Sequence, residues 1–242
     1  MKIKLILSYN GTSFEGSQVQ KHTNNTIMGR LYEAFEAINI DTKLHASGRT
    51  DAGVHAFKQT MHCEIPSFWS DLSKLKEHLQ YKLPDTIKIR HLTQADEAFH
   101  ARYSAKRRAY RYILCDEQSN PFESAFVTFT RNKLNTKALE DAMKLVQGEH
   151  DFGMFKKSGG ASGSDVRTIF KTRVYSYRNK TILYFEANGF LRSQIRLMVA
   201  FLLKISEGKL TNKQFLEQLN NEVSHNTRPA PPNGLYLSNI IY

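Results

Sequence analysis

One short segment of the sequence holds the residue types that acid–base or nucleophilic chemistry requires. In Gly48-Arg49-Thr50-Asp51-Ala52-Gly53 an arginine stands close before an aspartate, with a glycine on either side. Glycines in this arrangement favour a tight turn that holds a side chain in one place. A neighbouring guanidinium lowers the pKa of a carboxylate by about 1–3 units, so Asp51 would be ionised. Such an aspartate can act as a nucleophile or base, although a solvated turn without chemistry fits the same spacing.

Histidines near this segment raise the question of a metal site. A metal-dependent nuclease could use Asp51 and Glu64 together with His55 and His62. The sequence lacks the His-Glu-x-x-His and Cys-x-x-Cys patterns, and it also lacks the glycine-rich loops that bind nucleotides. It has no Gly-x-Ser-x-Gly pattern of the kind found in serine hydrolases. These patterns favour chemistry without a metal, a nucleotide cofactor or a serine nucleophile.

The charge of the chain favours a polyanionic partner. It has 34 Lys and Arg against 23 Asp and Glu, a formal net charge of +11. Several of these cations lie among tyrosines at 102–112, and a second basic group lies at 167–173. Phosphates attract cations and unstacked bases pack on aromatic rings, so this mixture suits RNA. A basic surface that only maintains solubility is the alternative.

Two further residues could take part in chemistry. Tyr110 lies on a predicted strand at 105–115, where it either packs on the sheet or contacts a base. Arg196 lies on the strongest predicted helix, at 190–206. Its guanidinium either extends to the surface or lies partly buried beside a carboxylate, for which Asp51 is the candidate.

Hydrophobic periodicity predicts the scaffold that must position these residues. Strands are predicted at 2–9, 57–65, 86–92, 105–115, 168–178, 180–187 and 235–242, and helices at 27–38 behind a Thr26 cap, 71–83, 137–146 and 190–206. Strands and helices mix without strict alternation, which predicts an α+β protein with mixed, mostly antiparallel sheets. A boundary near residues 95–104 divides the chain into two α/β halves, 1–100 and 101–242.

Composition also bears on the cellular compartment of the protein. Two cysteines do not make a disulfide framework. The longest apolar run, Leu197 to Leu203, is far shorter than the ~20 residues of a membrane helix, and the first residues lack the apolar region of a signal peptide. We therefore expect a cytoplasmic protein with reduced thiols and no membrane partner.

Eight segments, in order along nearly the whole chain, resemble motifs of the tRNA pseudouridine synthase A family. They are Tyr9–Gly16, Gly48–Ala56, Phe99–Arg102, Arg108–Tyr112, Gly148–Phe152, Arg167–Ile169, Gly189–Gly208 and Gly234–Leu237. There are local departures: Ser17 stands where the family usually has tryptophan, Ile27-Met28 replaces Val-Gln, and Ala200 replaces a common glycine. None of them alters the positions that match the family's reactive residues.

The resemblance implies a pseudouridine synthase fold and activity. The half at 1–100 would carry the catalytic aspartate loop, and the half at 101–242 would complete a basic central RNA cleft and the dimer interface. The enzyme would isomerise uridine on the 3′ side of the tRNA anticodon stem-loop, as a homodimer that needs no cofactor and no metal.

The resemblance also implies roles for single residues. Asp51 would be the catalytic nucleophile. Tyr110 would stack on the flipped-out uracil or serve as a base, Arg196 would pair with the aspartate, and Arg49 would contact the flipped nucleotide or its phosphate. The sequence leaves open whether Asp51 attacks C1′ of the sugar, attacks C6 of the uracil, or removes a sugar proton to give a glycal. A catalytically silent RNA-binding or RNA-chaperone protein is the alternative from another class.

Overall fold

The computed structural model describes residues 1–117, 120–159 and 163–242. Its strands are β1 (Lys2–Tyr9), β2 (His45–Ala46), β3 (His55–Glu64), β4 (Ile87–Gln94), β5 (Arg107–Cys115), β6 (Thr128–Phe129), β7 (Gly148–Asp151), β8 (Val166–Tyr177), β9 (Lys180–Ala187) and β10 (Leu235–Ile241). Its α-helices are α1 (Ile27–Glu36), α2 (Leu72–Lys82), α3 (Thr136–Leu145), α4 (Gln194–Ser206) and α5 (Asn212–Leu219), and a short 3-10 helix covers Gly153–Phe155. No helix within the described ranges is long and apolar enough to cross a membrane.

Two compact units make up the chain, residues 1–106 together with 236–242, and residues 107–235. The sequence predicts halves at 1–100 and 101–242 and so places the last strand in the second half. In the structure, residues 236–242 belong to the first unit. Residues just after 100 stay in that unit because Ala101 is buried there. Its N–H donates to His62 Nδ1 at 3.1 Å, and its carbonyl accepts a hydrogen bond from the Tyr242 hydroxyl at 2.9 Å.

The sheet of the first unit is built around β1. This strand lies between β4 and β3 and is antiparallel to both, while β10 runs parallel to β3. Ile3, Leu5 and Leu7 alternate along β1 and are fully buried, as a strand with one face on the core requires. Helix α1 begins where predicted, because the Thr26 hydroxyl accepts the Gly29 N–H at 3.0 Å.

The sheet of the second unit has β9 between β5 and β8, with β7 beyond β8, and these neighbours are all antiparallel. Helix α3 packs on β8, where the Thr172 hydroxyl donates to the Met143 carbonyl at 3.0 Å. An aromatic core of Phe155, Phe201 and Phe215 joins the 3-10 helix, α4 and α5. These rings bury large apolar areas, the main source of folding free energy.

The predicted α+β class with mixed, mostly antiparallel sheets is confirmed, and both cysteines are free, buried thiols as predicted. The predicted helix at 190–206 is wrong at its start, since α4 begins at Gln194. Ser193 adopts a left-handed φ of 58° just before it, and the Gln194 side chain accepts the Leu191 N–H at 2.7 Å. Sequence periodicity also missed α5 and β7.

Candidate active site

The Asp51 segment forms a tight turn between β2 and β3 in the first unit, as its glycines predicted. The Val54 N–H donates to the Asp51 carbonyl at 3.1 Å. Gly53 has a φ of 77°, in the left-handed region that side chains rarely adopt. The Asp51 side chain is half-buried and Arg49 is exposed. The structure gives Arg49 no hydrogen bond or ion pair within the described ranges, so its guanidinium is available to a ligand.

Thr50, the residue before Asp51, is held by three buried hydrogen bonds. Its N–H donates to Ser17 Oγ at 2.9 Å, and its carbonyl accepts the Ser17 N–H at 3.1 Å. Its hydroxyl bonds to the Tyr9 hydroxyl at 2.8 Å. Thr50 and Ser17 are 7% and 1% exposed, so water cannot replace these partners. The turn therefore presents Asp51 from a fixed backbone.

Both ends of the turn are anchored as well. On one side, buried Gln59 accepts the Ser47 hydroxyl at 2.6 Å and donates to the Gly48 carbonyl at 2.7 Å. On the other side, His55 Nδ1 accepts the Gly11 N–H at 3.1 Å. The His55 ring stacks on Tyr236 of β10, with ring centroids 4.6 Å apart. Buried polar groups that are fully bonded in this way fix one local structure.

Gly11 shows how closely the neighbouring loop approaches the turn. A Cβ atom on Gly11 would lie 2.0 Å from the Val54 carbonyl oxygen, which is backbone and cannot swing aside. We expect Gly11→Ala to lower the free energy of unfolding by about 3 kcal/mol. Gly48→Ala is the matched control, because a Cβ there meets no atom within 4 Å, and its unfolding free energy should stay within about 1 kcal/mol of wild type. Urea unfolding of both variants checks this, and equal losses would contradict it.

The two histidines that a metal-dependent nuclease could use, His55 and His62, make structural hydrogen bonds instead. His55 Nδ1 and His62 Nδ1 each accept a backbone N–H, from Gly11 and Ala101, so neither nitrogen has a lone pair left for a metal. Among the described residues, no group of three or more His, Cys, Asp or Glu side chains is arranged to hold a metal ion.

His62 makes the first unit sensitive to acid. Burial, followed by the neighbouring His100 and His45, lowers the pKa of His62 from 6.5 to about 4. Between these values the unfolded chain binds the proton more readily than the folded chain, so stability falls as the pH falls. With allowance for solvent screening, we expect the free energy of unfolding to drop by about 2 kcal/mol from pH 7 to pH 4 on account of this histidine.

His62→Gln provides the comparison, because its amide oxygen can accept the same Ala101 N–H but does not titrate. Urea unfolding at a series of pH values should give a shallower loss for this variant than for the wild-type chain. The same pH dependence in both proteins would show that the fold tolerates a charged His62.

Tyr110 lies on β5 of the second unit, opposite Phe185 of β9. Its ring meets Phe190 edge to face, with ring centroids 5.3 Å apart and an interplanar angle of 86°. Tyr112, further along the same strand face, is fully buried, and its hydroxyl bonds to Thr128 and to the Pro231 carbonyl. Tyr110 is only half-buried.

Arg196 lies in the first turn of α4 and is half-buried. Its Nε donates to the Ala230 carbonyl at 2.8 Å, and its own carbonyl accepts the Ala230 N–H at 2.9 Å. The Nε bond fixes the direction of the guanidinium, and the main-chain bond holds the Ala230 segment beside the helix. Arg192 precedes the helix and donates to the Ser158 carbonyl, so it does not share a helix face with Arg196. The expected pairing of Arg196 with Asp51 stays a prediction.

Exposed cations lie on β5 and β8 of the second unit, on either side of β9. Arg111 and Arg173 lie on either side of Tyr184 in register, and Lys171 lies beside Glu186 in the next row. Arg107 pairs with Glu186 at 2.9 Å. Within the described ranges, Arg111, Lys171 and Arg173 have no carboxylate partner within 4.0 Å. These side chains are therefore free to neutralise phosphates.

Sequence reasoning found the turn but missed the residues that support it. The sequence marks Ser17 only as a departure from the family pattern, and Tyr9 only as the end of a predicted strand and the start of a motif that resembles the family. Their bonds to Thr50 join positions far apart in the chain. The alternation of β1, which turns Tyr9 inward, was the one local signal that pointed to this contact.

Comparison with known proteins identifies the family of the chain. A family model described as tRNA pseudouridine synthase matches residues 5–104 and 142–242. A tRNA pseudouridine synthase A of Wolinella succinogenes is 40% identical over 236 residues, which cover 98% of this chain and 92% of the relative. A tRNA pseudouridine synthase A of Campylobacter jejuni (strain RM1221) is 38% identical over 242 residues, which cover 100% of both chains. A tRNA pseudouridine synthase A of Helicobacter hepaticus is 36% identical over an alignment of 245 residues, which covers 99% of this chain and 98% of the relative. With Asp51 fixed in the Gly-Arg-Thr-Asp-Ala-Gly turn, these matches show that the chain belongs to the tRNA pseudouridine synthase family.

Proposed function

We propose that this chain isomerises uridine to pseudouridine on the 3′ side of the tRNA anticodon stem-loop, with Asp51 as the nucleophile. The observation that carries the proposal is the Asp51 turn, whose backbone is fixed by Thr50 and Val54 in a chain of this family. In the reaction the C1′–N1 bond breaks, the uracil rotates and a C1′–C5 bond forms, while a proton leaves C5 and N1 takes one up. A carboxylate held in one place suits C1′ attack, C6 attack or removal of a sugar proton.

The target uridine must leave the base stack before this chemistry can occur. Extruding a nucleotide costs a few kcal/mol, and phosphate contacts from basic side chains offset that cost. The exposed Arg111, Lys171 and Arg173 have the charge for such contacts. Tyr110 is half-buried, and its flat ring has the shape to stack on the extruded uracil.

The two arginines of the site have separate proposed roles. Arg49 is exposed beside the turn and contacts the flipped nucleotide or its phosphate. Arg196, directed by Ala230, pairs with Asp51 and supplies its counter-charge. Both roles use the fixed planar geometry of a guanidinium, which lysine does not offer.

The partners of the enzyme follow from the same proposal. It works on tRNA as a homodimer, and the residues near Asp51 perform the reaction without a metal or cofactor. Two buried free thiols, Cys63 and Cys115, suit the reducing conditions of the cytoplasm, where we place the protein.

Incubation with undermodified tRNA tests the function directly. The purified chain is mixed with tRNA transcribed in vitro, and pseudouridine is mapped by carbodiimide labelling. We expect new pseudouridines only on the 3′ side of the anticodon stem-loop. Strand cleavage, sensitivity to chelators, or tight tRNA binding without any new pseudouridine would contradict the proposal.

A further inference from the structure

Ser17 makes two hydrogen bonds with the buried backbone of Thr50. Its hydroxyl accepts the Thr50 N–H at 2.9 Å, and its N–H donates to the Thr50 carbonyl at 3.1 Å. We propose that Ser17 is a positioning residue for catalysis, which holds Thr50 and thereby sets the direction of the next side chain, Asp51. This inference rests on the proposed function, since it assumes that Asp51 is the reacting group.

Ser17 is itself fixed to a rigid element. Its carbonyl accepts the Met28 N–H at 3.0 Å, and the Gly16 carbonyl accepts the Ile27 N–H at 3.2 Å. Both donors belong to the first turn of α1, whose apolar face is buried. The turn that carries Asp51 is therefore connected through Ser17 to the helix and the core, rather than only to its neighbours in the chain.

Burial makes the hydroxyl of Ser17 hard to replace. The side chain is 1% exposed, so in Ser17→Ala the Thr50 N–H would have neither a protein partner nor water. A buried N–H without a partner is unfavourable, and the turn can relieve this only by moving Thr50. A displacement of about 1 Å in a reacting group can lower a rate by about 100-fold.

Tyr9 gives a second, weaker support from the other side. Its hydroxyl lies 2.8 Å from the Thr50 hydroxyl, and the residue is 5% exposed. This bond fixes only the side chain of Thr50, whereas Ser17 fixes its backbone. Loss of the Tyr9 hydroxyl should therefore disturb Asp51 less than loss of the Ser17 hydroxyl.

A matched control separates positioning from mere stabilisation. Ser206 lies at the end of α4 in the second unit, where its hydroxyl accepts the Asn135 N–H at 2.8 Å. Ser206→Ala therefore makes the same chemical change as Ser17→Ala and also removes a bond from a backbone N–H to a serine hydroxyl, but there the bond is exposed to solvent. It leaves every contact of Thr50 in place.

The experiment measures single-turnover conversion of tRNA with enzyme in excess, tRNA affinity and thermal unfolding for the wild-type chain and three variants. We expect Ser17→Ala to slow conversion by about 10- to 100-fold and Tyr9→Phe by about 3- to 10-fold, each with tRNA affinity within about 2-fold of wild type. Ser206→Ala should keep the wild-type rate.

Three other outcomes would overturn either the positioning role of Ser17 or the proposed function. Equal rates for Ser17→Ala and Ser206→Ala, with an active wild-type chain, would overturn the positioning role and leave the proposed function standing. If Ser17→Ala does not fold, Ser17→Cys takes its place, because a thiol is a weak hydrogen-bond acceptor: a wild-type rate in that variant overturns the role and a slowed rate supports it. A wild-type chain that makes no pseudouridine would overturn the proposed function and this inference with it.

Discussion

Asp51→Asn is expected to abolish conversion of tRNA uridine while tRNA binding largely persists. Asparagine keeps the size and shape of the side chain but cannot be an anionic nucleophile or base, so we expect the rate to fall by at least about 1,000-fold. The backbone of the turn should remain in place, because its hydrogen bonds come from Thr50 and from the carbonyl of residue 51.

Two measurements on the same preparation separate catalysis from folding. Tritium release from C5-labelled uridine in tRNA follows conversion, and filter binding follows tRNA affinity. Loss of both activity and affinity would indicate that Asp51 is structural. Retained conversion would show that another group performs the reaction.

Arg196→Ala is expected to have the next largest effect. If the guanidinium pairs with Asp51, its removal leaves a half-buried carboxylate without its counter-charge, and the free energy of unfolding should fall by about 3 kcal/mol.

A double-mutant cycle shows whether these effects come from the pair itself. In Asp51→Asn/Arg196→Ala no charge is left unpaired, so most of the stability lost in Arg196→Ala should return. Arg192→Ala is the control, since this nearby arginine lies outside α4 and is exposed. Strictly additive losses in unfolding free energy would count against a pair between residues 51 and 196.

A helix cap, a strand's alternation and a tight turn were predictable from the sequence, because each depends on residues that are close together in the chain. The Thr26 cap, the alternation of β1 and the turn at Asp51 each depend on residues within a few positions of one another. The start of α4 was not predictable in this way. Apolar periodicity continues through Leu191, but the left-handed Ser193 ends the preceding turn and delays the helix to Gln194.

The supports of the site could not be predicted because they join distant parts of the chain. Ser17 meets Thr50 through two hydrogen bonds, and His62 meets Ala101 through one. No periodic pattern in the sequence encodes these bonds. The resemblance named Asp51, Tyr110, Arg49 and Arg196, but it gave no role to Ser17. The structure supplies that missing part by showing which groups hold the backbone beside Asp51.

The most direct test of the account is a crystal structure of the Asp51→Asn variant bound to an anticodon stem-loop RNA. We predict that the target uridine lies outside the base stack, with its reacting carbon about 3–3.5 Å from the side chain at position 51. The Thr50 backbone should remain bonded to Ser17. A side chain at position 51 that points into bulk water, away from any extruded uridine, would contradict the account.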